Sequence, residues 1–222
     1  MKSSASALWD ECLYGPDCAV EHPEGGQVWL RPARYDELDE LHSLIVSEIS
    51  PDVGPAAIMR AVFLKNPVSF WRIERRLPDG IVRPVGMYGF LPLNDRGVDA
   101  LKAEMLDTRE PQLEYVAAAD ERPAALYVWA IVARKIRQLV YPLIKQALGP
   151  GYTSVPVFAT PATAGGVKAV AQRGFVPIAG GYNTTGELAQ LPLRRPAADE
   201  APSSFDVTAR GILSSRTRRR GL

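Results

Sequence analysis

Cysteine is nearly absent from this 222-residue chain. The two present, Cys12 and Cys18, lie in a Gly- and Pro-punctuated leader without helical or strand period, so a disulfide scaffold is excluded. With His22 they would make three metal-ligand candidates lacking a paired cysteine motif and a fourth donor, which falls short of a structural zinc site; no metal is expected. No apolar run approaches the roughly 18 residues needed to cross a bilayer, and residues 1–7 carry no basic stretch ahead of an apolar core. A cytoplasmic protein with no membrane partner is the expectation. Net charge is also close to nil, formally +1, which gives no whole-molecule attraction to nucleic acid. The exception is local: Arg216, Arg218, Arg219 and Arg220 make a basic end, read as a solvated tail, with contact to an anionic partner such as nucleic acid as the other reading. A Gly-x-Ser-x-Gly elbow, a glycine-rich nucleotide fingerprint after the first strand and any internal repeat are missing as well.

What is present is a patterned middle. His22-Pro23-Glu24-Gly25-Gly26 punctuates the chain, and a strand-like run, Gln27-Val28-Trp29-Leu30-Arg31, follows. Residues 27–193 are therefore read as one domain, with residues 1–26 as a disordered leader and 194–222 as a disordered basic tail. Leu38, Leu41, Leu44 and Ile45 recur at helical spacing behind acidic Asp36 and Glu37, which complement a helix dipole. His42 in this helix reads as a boundary histidine rather than a catalytic one. A second helix is expected over 55–65, where Pro55 suits a first turn and Ile58, Val62 and Phe63 share a face. Residues 68–76 and 82–91 alternate around Leu77-Pro78-Asp79-Gly80 and predict a β-hairpin.

Residues 94–122 form a polar insert, too long for a hairpin loop, with a helix predicted over 98–106. Residues 124–133 are almost unbroken apolar chain, as a strand buried on both faces requires. Ile136, Leu139, Val140, Leu143, Ile144 and Leu148 then supply one face of a helix, which Pro142 should kink and Gly149-Pro150-Gly151 should close. A strand over 154–159, a helix to Arg173, an extended return over 174–178 and a last strand over 186–193 complete the order.

This succession resembles the GNAT superfamily of acyl-CoA-dependent acyltransferases over residues 27–193. Two local echoes carry it: Val28-Trp29-Leu30-Arg31-Pro32-Ala33 followed by Asp36-Glu37-Leu38, and Ala171-Gln172-Arg173-Gly174-Phe175. The resemblance implies an α/β fold, with a mixed, mostly antiparallel sheet of six to seven strands flanked by helices. It implies acetyl-CoA or another acyl-CoA as co-substrate and a small-molecule or protein amine as acceptor.

In that family a helix N-terminus after the central strand receives the pyrophosphate, because its backbone N–H groups are unpaired and the helix dipole is positive there. The matching residues are Ile131, Val132, Ala133, Arg134, Lys135, Arg137 and Gln138. Arg137 and Leu139 stand where relatives carry glycine, so the arginine and lysine charges would replace part of the backbone donation. Val170 stands where many members carry the tyrosine that protonates the departing thiolate. Glu74 and Glu114 are the carboxylate candidates for taking up the amine proton, and Tyr127 and Tyr141 the alternative hydroxyls. A non-catalytic GNAT-like module that binds a protein partner or an acyl ligand stays open beside the enzyme.

Overall fold

The chain enters its sheet earlier than Gln27. In the computed structural model, which describes residues 15–51, 53–133 and 136–193, and residues 137 and 149–153 in backbone only, Val20–Glu21 forms β1. It lies antiparallel on β2 (Gln27–Pro32), with Val20 opposite Val28. The Gly25-Gly26 turn permits this: both glycines have positive φ, and a Cβ on Gly26 would stand 2.0 Å from the Arg76 carbonyl oxygen. Residues 1–14, including Cys12, the tail 194–222 with its arginines, and the expected phosphate-contacting Arg134 and Lys135 lie outside the described residues, as does the side chain of Arg137.

A 3-10 turn (Tyr35–Glu37) leads into α1 (Leu38–Glu48), whose Leu38, Leu41 and Ile45 are buried. Then follows α2 (Ala56–Lys65). Fully buried Asn66 ends it. Its amide donates to the carbonyls of Ala117 and Ala118 at 3.1 and 3.3 Å and its oxygen accepts from Val68 N–H, so it ties α2 to the polar insert. The hairpin is β3 (Phe70–Arg76) and β4 (Val82–Leu93).

The insert helix α3 is Asp95–Lys102, displaced toward the N-terminus from the expected 98–106. Asn94 accounts for its start, its side chain accepting Gly97 N–H at 2.9 Å as an N-cap. Glu104, at φ 58°, accounts for its end by sending Met105 and Leu106 N–H back to the Ala100 carbonyl. Next come β5 (Ala125–Ala133), α4 (Arg137–Ser154), β6 (Val157–Ala159), α5 (Ala164–Gln172), β7 (Val176–Pro177) and β8 (Ala189–Leu191). Helix α4 runs through both expected breakers, Pro142 and Gly149-Pro150-Gly151, and takes in Ser154, which the alternation had assigned to a strand. Its face is the reason: Val140, Leu143, Ile144, Ala147 and Leu148 are all buried, and tertiary burial outweighs local propensity.

The strand order is β1-β2-β3-β4-β5-β6-β8-β7, antiparallel at every step except the parallel pair β5 and β6. Among the described residues eight strands stand where six to seven are expected, and β1 is the addition. One face of the sheet, with Leu30, Trp71, Ile73, Phe90, Leu126 and Val157, packs under α4, with Val170 of α5 at its margin. The other, with Phe70, Met87, Leu91, Tyr127 and Phe158, packs under α1, α2 and α3. This is the mixed, mostly antiparallel, helix-flanked sheet that the GNAT resemblance implies. Among the described residues, no helix is long and apolar enough to cross a membrane.

Candidate active site

The central strand parts from its parallel neighbour early. β5 pairs with β6 only through Leu126 with Val157, Tyr127 with Phe158 and Val128 with Ala159, and then runs on alone to Ala133 on that side. On its other side β5 stays paired with β4, except at one place. Gly89 faces Ala130 and Phe90 faces Val128, so Trp129 is an extra residue, a β-bulge. The bulge inverts the alternation. Before it, odd-numbered residues Ala125 and Tyr127 face the α1–α3 layer; after it, Ala130 and Val132 do, so Trp129 and Ala130 turn to the same side. Trp129 thus has no partner residue in either adjoining strand, at the point where β5 and β6 diverge.

Of the residues expected at the acyl-CoA, Ile131, Val132 and Ala133 form the free-running end of β5. Val132 is buried toward α1–α3, while Ile131 and Ala133 are partly buried toward α4. The strand leads directly to the N-terminus of α4. Ile136, the residue before the helix, makes no side-chain cap, so the first N–H groups keep no acceptor from that residue's side chain. Gln138 is exposed beside them. Leu139, in a family glycine place, sends its N–H to the Ile136 carbonyl at 2.9 Å and packs its side chain against the core. It therefore points away from the helix end rather than filling it.

The four candidate catalytic residues are not gathered together. Glu114 is exposed in a 3-10 turn (Leu113–Tyr115) and pairs with Arg96 at 3.1 Å. Tyr127 is buried between Leu91 and Phe158, below the divergence. Tyr141 is half-buried on α4, with the Arg173 guanidinium stacked on its ring. Arg173 itself donates to the Ala169 carbonyl of its own helix at 2.6 Å, so its stack on Tyr141 joins the C-terminal end of α5 to α4.

Glu74 lies elsewhere again, in a buried ion cluster beneath the entry to α1. Its carboxylate accepts from Arg31 Nη2 at 2.8 Å and lies 3.4 Å from Arg72 Nε. The centre of the cluster is Glu37, which takes a two-pronged grip from Arg31 at 2.6 and 2.8 Å and the backbone N–H of Arg34 at 2.9 Å. Arg72 reaches Glu37 at 3.4 Å and Glu40 at 2.6 Å. Hydrogen bonding from Arg31, opposed by burial and helped by the Arg34 N–H, holds the Glu37 carboxyl down at about 2. The same contact raises the Arg31 pKa. Glu74 is thus held by two arginines in a largely buried cluster, and the β2–β3 register that sets Arg31 beside Arg72 leaves no local trace in the sequence.

Trp129 also carries a polar contact. Its indole N–H donates to the Thr108 carbonyl at 2.6 Å, and its ring packs on Phe70 with centroids 5.6 Å apart. His42, as its position suggested, is a boundary residue, with Nε2 2.8 Å from the Gly54 carbonyl oxygen.

Taken together, a sheet with one parallel pair, a crossover helix after the central strand and an early parting of that pair make the mixed α/β arrangement that the GNAT resemblance implies. No protein-family profile matches the chain, and no curated protein matches it significantly. Solved structures match it at low sequence identity. The histone acetyltransferase HPA2 and related acetyltransferase from Corynebacterium glutamicum is 17% identical, with a TM-score of 0.42 over 76% of this chain and 97% of that one. An uncharacterized protein from Bacillus halodurans is 12% identical, with a TM-score of 0.44 over 82% and 91%. A protein from Pyrococcus horikoshii OT3 is 11% identical, with a TM-score of 0.43 over 73% and 96%.

Proposed function

We propose that this chain is an acyltransferase-like protein that moves an acyl group from acyl-CoA, or from a carrier-linked donor, to an amine-bearing acceptor. The observation that supports this reading is the parting of β5 from β6 after Val128 and Ala159, with the N-terminus of α4 beyond it. A thioester chain laid along the unpaired side of Trp129–Ala133 would bring its pyrophosphate to the first N–H groups of α4, where the dipole favours an anion. Leu139, turned to the core, leaves that end clear. The amine nitrogen would attack the thioester carbonyl, the C–S bond would break, and the thiolate would take up one proton while the ammonium gives one to solvent.

Val170 has no proton to give. Of the four candidates, Tyr141 is the one borne by α4, beside α5 of Val170, and we assign it the proton donor's place. Glu74, engaged with Arg31 and Arg72, is poorly suited to act as a base. With acetyl-CoA or a longer acyl-CoA at about a hundred times its Kd, binding stabilises the fold by about 2.7 kcal/mol, read as a rise in Tm. Absence of a rise with any acyl-CoA or with free CoA would sink the reading. Tyr141→Phe is expected to lower thiol release in the presence of amines about a hundredfold, the lower end of what a positioned acid supplies, leaving the donor KM in place. A fall of less than about threefold removes Tyr141 from that role.

The second reading, a non-catalytic module holding an acyl ligand or protein partner, is favoured by Val170 and by the engagement of Glu74. A rise in Tm with acyl-CoA unaccompanied by thiol release from any amine selects it.

A further inference from the structure

The polar insert touches the divergence of β5 and β6 through a short chain of contacts. Trp129, the bulge residue at that point, holds the Thr108 carbonyl through its indole N–H. The next carbonyl, that of Arg109, lies against the backbone of Gly54 so closely that a Cβ there would stand 1.9 Å from its oxygen and 2.9 Å from its carbon. Gly54 is held in turn from α1, its carbonyl accepting the Nε2 proton of His42 at 2.8 Å. A carbonyl only accepts, so His42 carries its proton on Nε2. Leu106, buried in the cluster shared by α1, α2 and Trp129, anchors the start of the same segment. Residues 103–112 contain neither helix nor strand, so these contacts set their course.

The bulge matters here for a reason of geometry. Trp129 keeps the face set by Ala125 and Tyr127, and by turning Ala130 to that α1–α3 side as well, the bulge leaves the indole without a partner residue in either adjoining strand at their parting. The indole edge is then taken by the insert. The segment is therefore fastened at the mouth of the divergence, on the side facing α1 and α2, rather than lying over the sheet at large.

Resting on the acyl-transfer reading above, we propose that insert residues 106–109, seated between Trp129 and Gly54, form the acceptor-side wall of that site. Trp129 and His42 are positioning residues that fix how far the wall stands from the thioester. With the wall seated, the site admits slender primary amines and turns away branched or secondary ones. Loosening it relaxes that discrimination and leaves the donor in place, because the donor runs along the backbone edge of β5 whereas the wall stands off that edge on the α1–α3 face of the sheet.

Trp129→Phe keeps the ring and removes the N–H that holds Thr108. Gly54→Ala pushes the Arg109 carbonyl away without altering Trp129. Each is measured in the full chain for acyl-CoA KM, for kcat/KM with a straight-chain and an α-branched primary amine, and for hydrogen exchange of the 103–112 amides. Both variants are expected to exchange faster in that segment and to shift the branched-to-straight ratio of kcat/KM by about tenfold, with acyl-CoA KM within about twofold. An unchanged ratio in both variants, or a ratio that moves only together with acyl-CoA KM, overturns the wall. Wild-type protein that binds acyl-CoA but turns over no amine overturns it too, while failure to bind any acyl-CoA brings down the reading on which it rests.

Discussion

Glu37→Gln is expected to lower the stability of the fold at pH 7 by about 3 kcal/mol, the worth of a carboxyl whose pKa has fallen from 4.5 to about 2 on folding. Gln is nearly isosteric and still offers one oxygen to the Arg34 N–H, so the loss comes from the charge rather than from shape. What remains is costly: Arg31, Arg34 and Arg72 would face a neutral centre, with Arg72 largely out of contact with water. The shifts of Glu37 and Arg31 describe one contact and are counted once. Because the folded pKa of Glu37 is depressed, its contribution is complete above the unfolded value and is lost as pH falls toward the folded one. Wild-type stability should therefore drop between about pH 5 and pH 2, and the variant should lack this part of the slope. Urea unfolding at pH 7 and pH 3 measures both. A difference under about 1 kcal/mol at pH 7, or the same acid slope in both proteins, would show that Glu37 is not the centre of the cluster.

Gly86→Ala is expected to cost about 3 kcal/mol, at the upper end of overpacking effects, through contacts that cannot give way. Gly86 on β4 faces Ala133 on β5 and Ile73 on β3. A Cβ there would lie 2.2 Å from the Val132 carbonyl oxygen and 3.0 Å from Ile73 Cδ1, so the ladder itself has to open. The opening falls on the last residue of β5, immediately before the chain reaches α4. The acyl-CoA-dependent rise in Tm should fall along with stability. Gly80 is the control: it sits at φ 86° with nothing within 4 Å of an added Cβ, so Gly80→Ala strains one turn and costs about 1 kcal/mol. If Gly86→Ala proves no more costly than Gly80→Ala in urea, the close approach of β4 to β5 has been misjudged.

The parts of this molecule that sequence made legible are those with a local cause. The apolar face of α1, the doubly buried β5 and the hairpin of β3 and β4 each follow from the spacing of their own residues. The insert helix begins earlier than its apolar pattern predicts because the signal for its start, Asn94 as a cap, lies outside that pattern. α4 passed its proline and its glycines because the sheet buries its face, and that sheet is assembled from segments far apart in sequence.

The candidate site shows the same division. Arg31 and Glu37 belong to the short opening motif of the resemblance, and they prove to be bonded to each other. Glu74, more than forty positions from Arg31, joins them only through strand register. Trp129 read as core since nothing in an unbroken apolar run marks which residue will bulge. The register of the neighbouring strand decides that.

The outermost strands of the sheet, β1 and β7, are two residues long each, and β7 contains Pro177, which has no N–H to offer. An incoming strand would find almost no template on either margin, although the sheet is eight strands wide among the described residues. The shortness of both margins, with exposed Glu21 on β1 and Pro177 on β7, thereby guards against edge-to-edge aggregation, and lengthening β7 by replacing Pro177 would remove part of that guard.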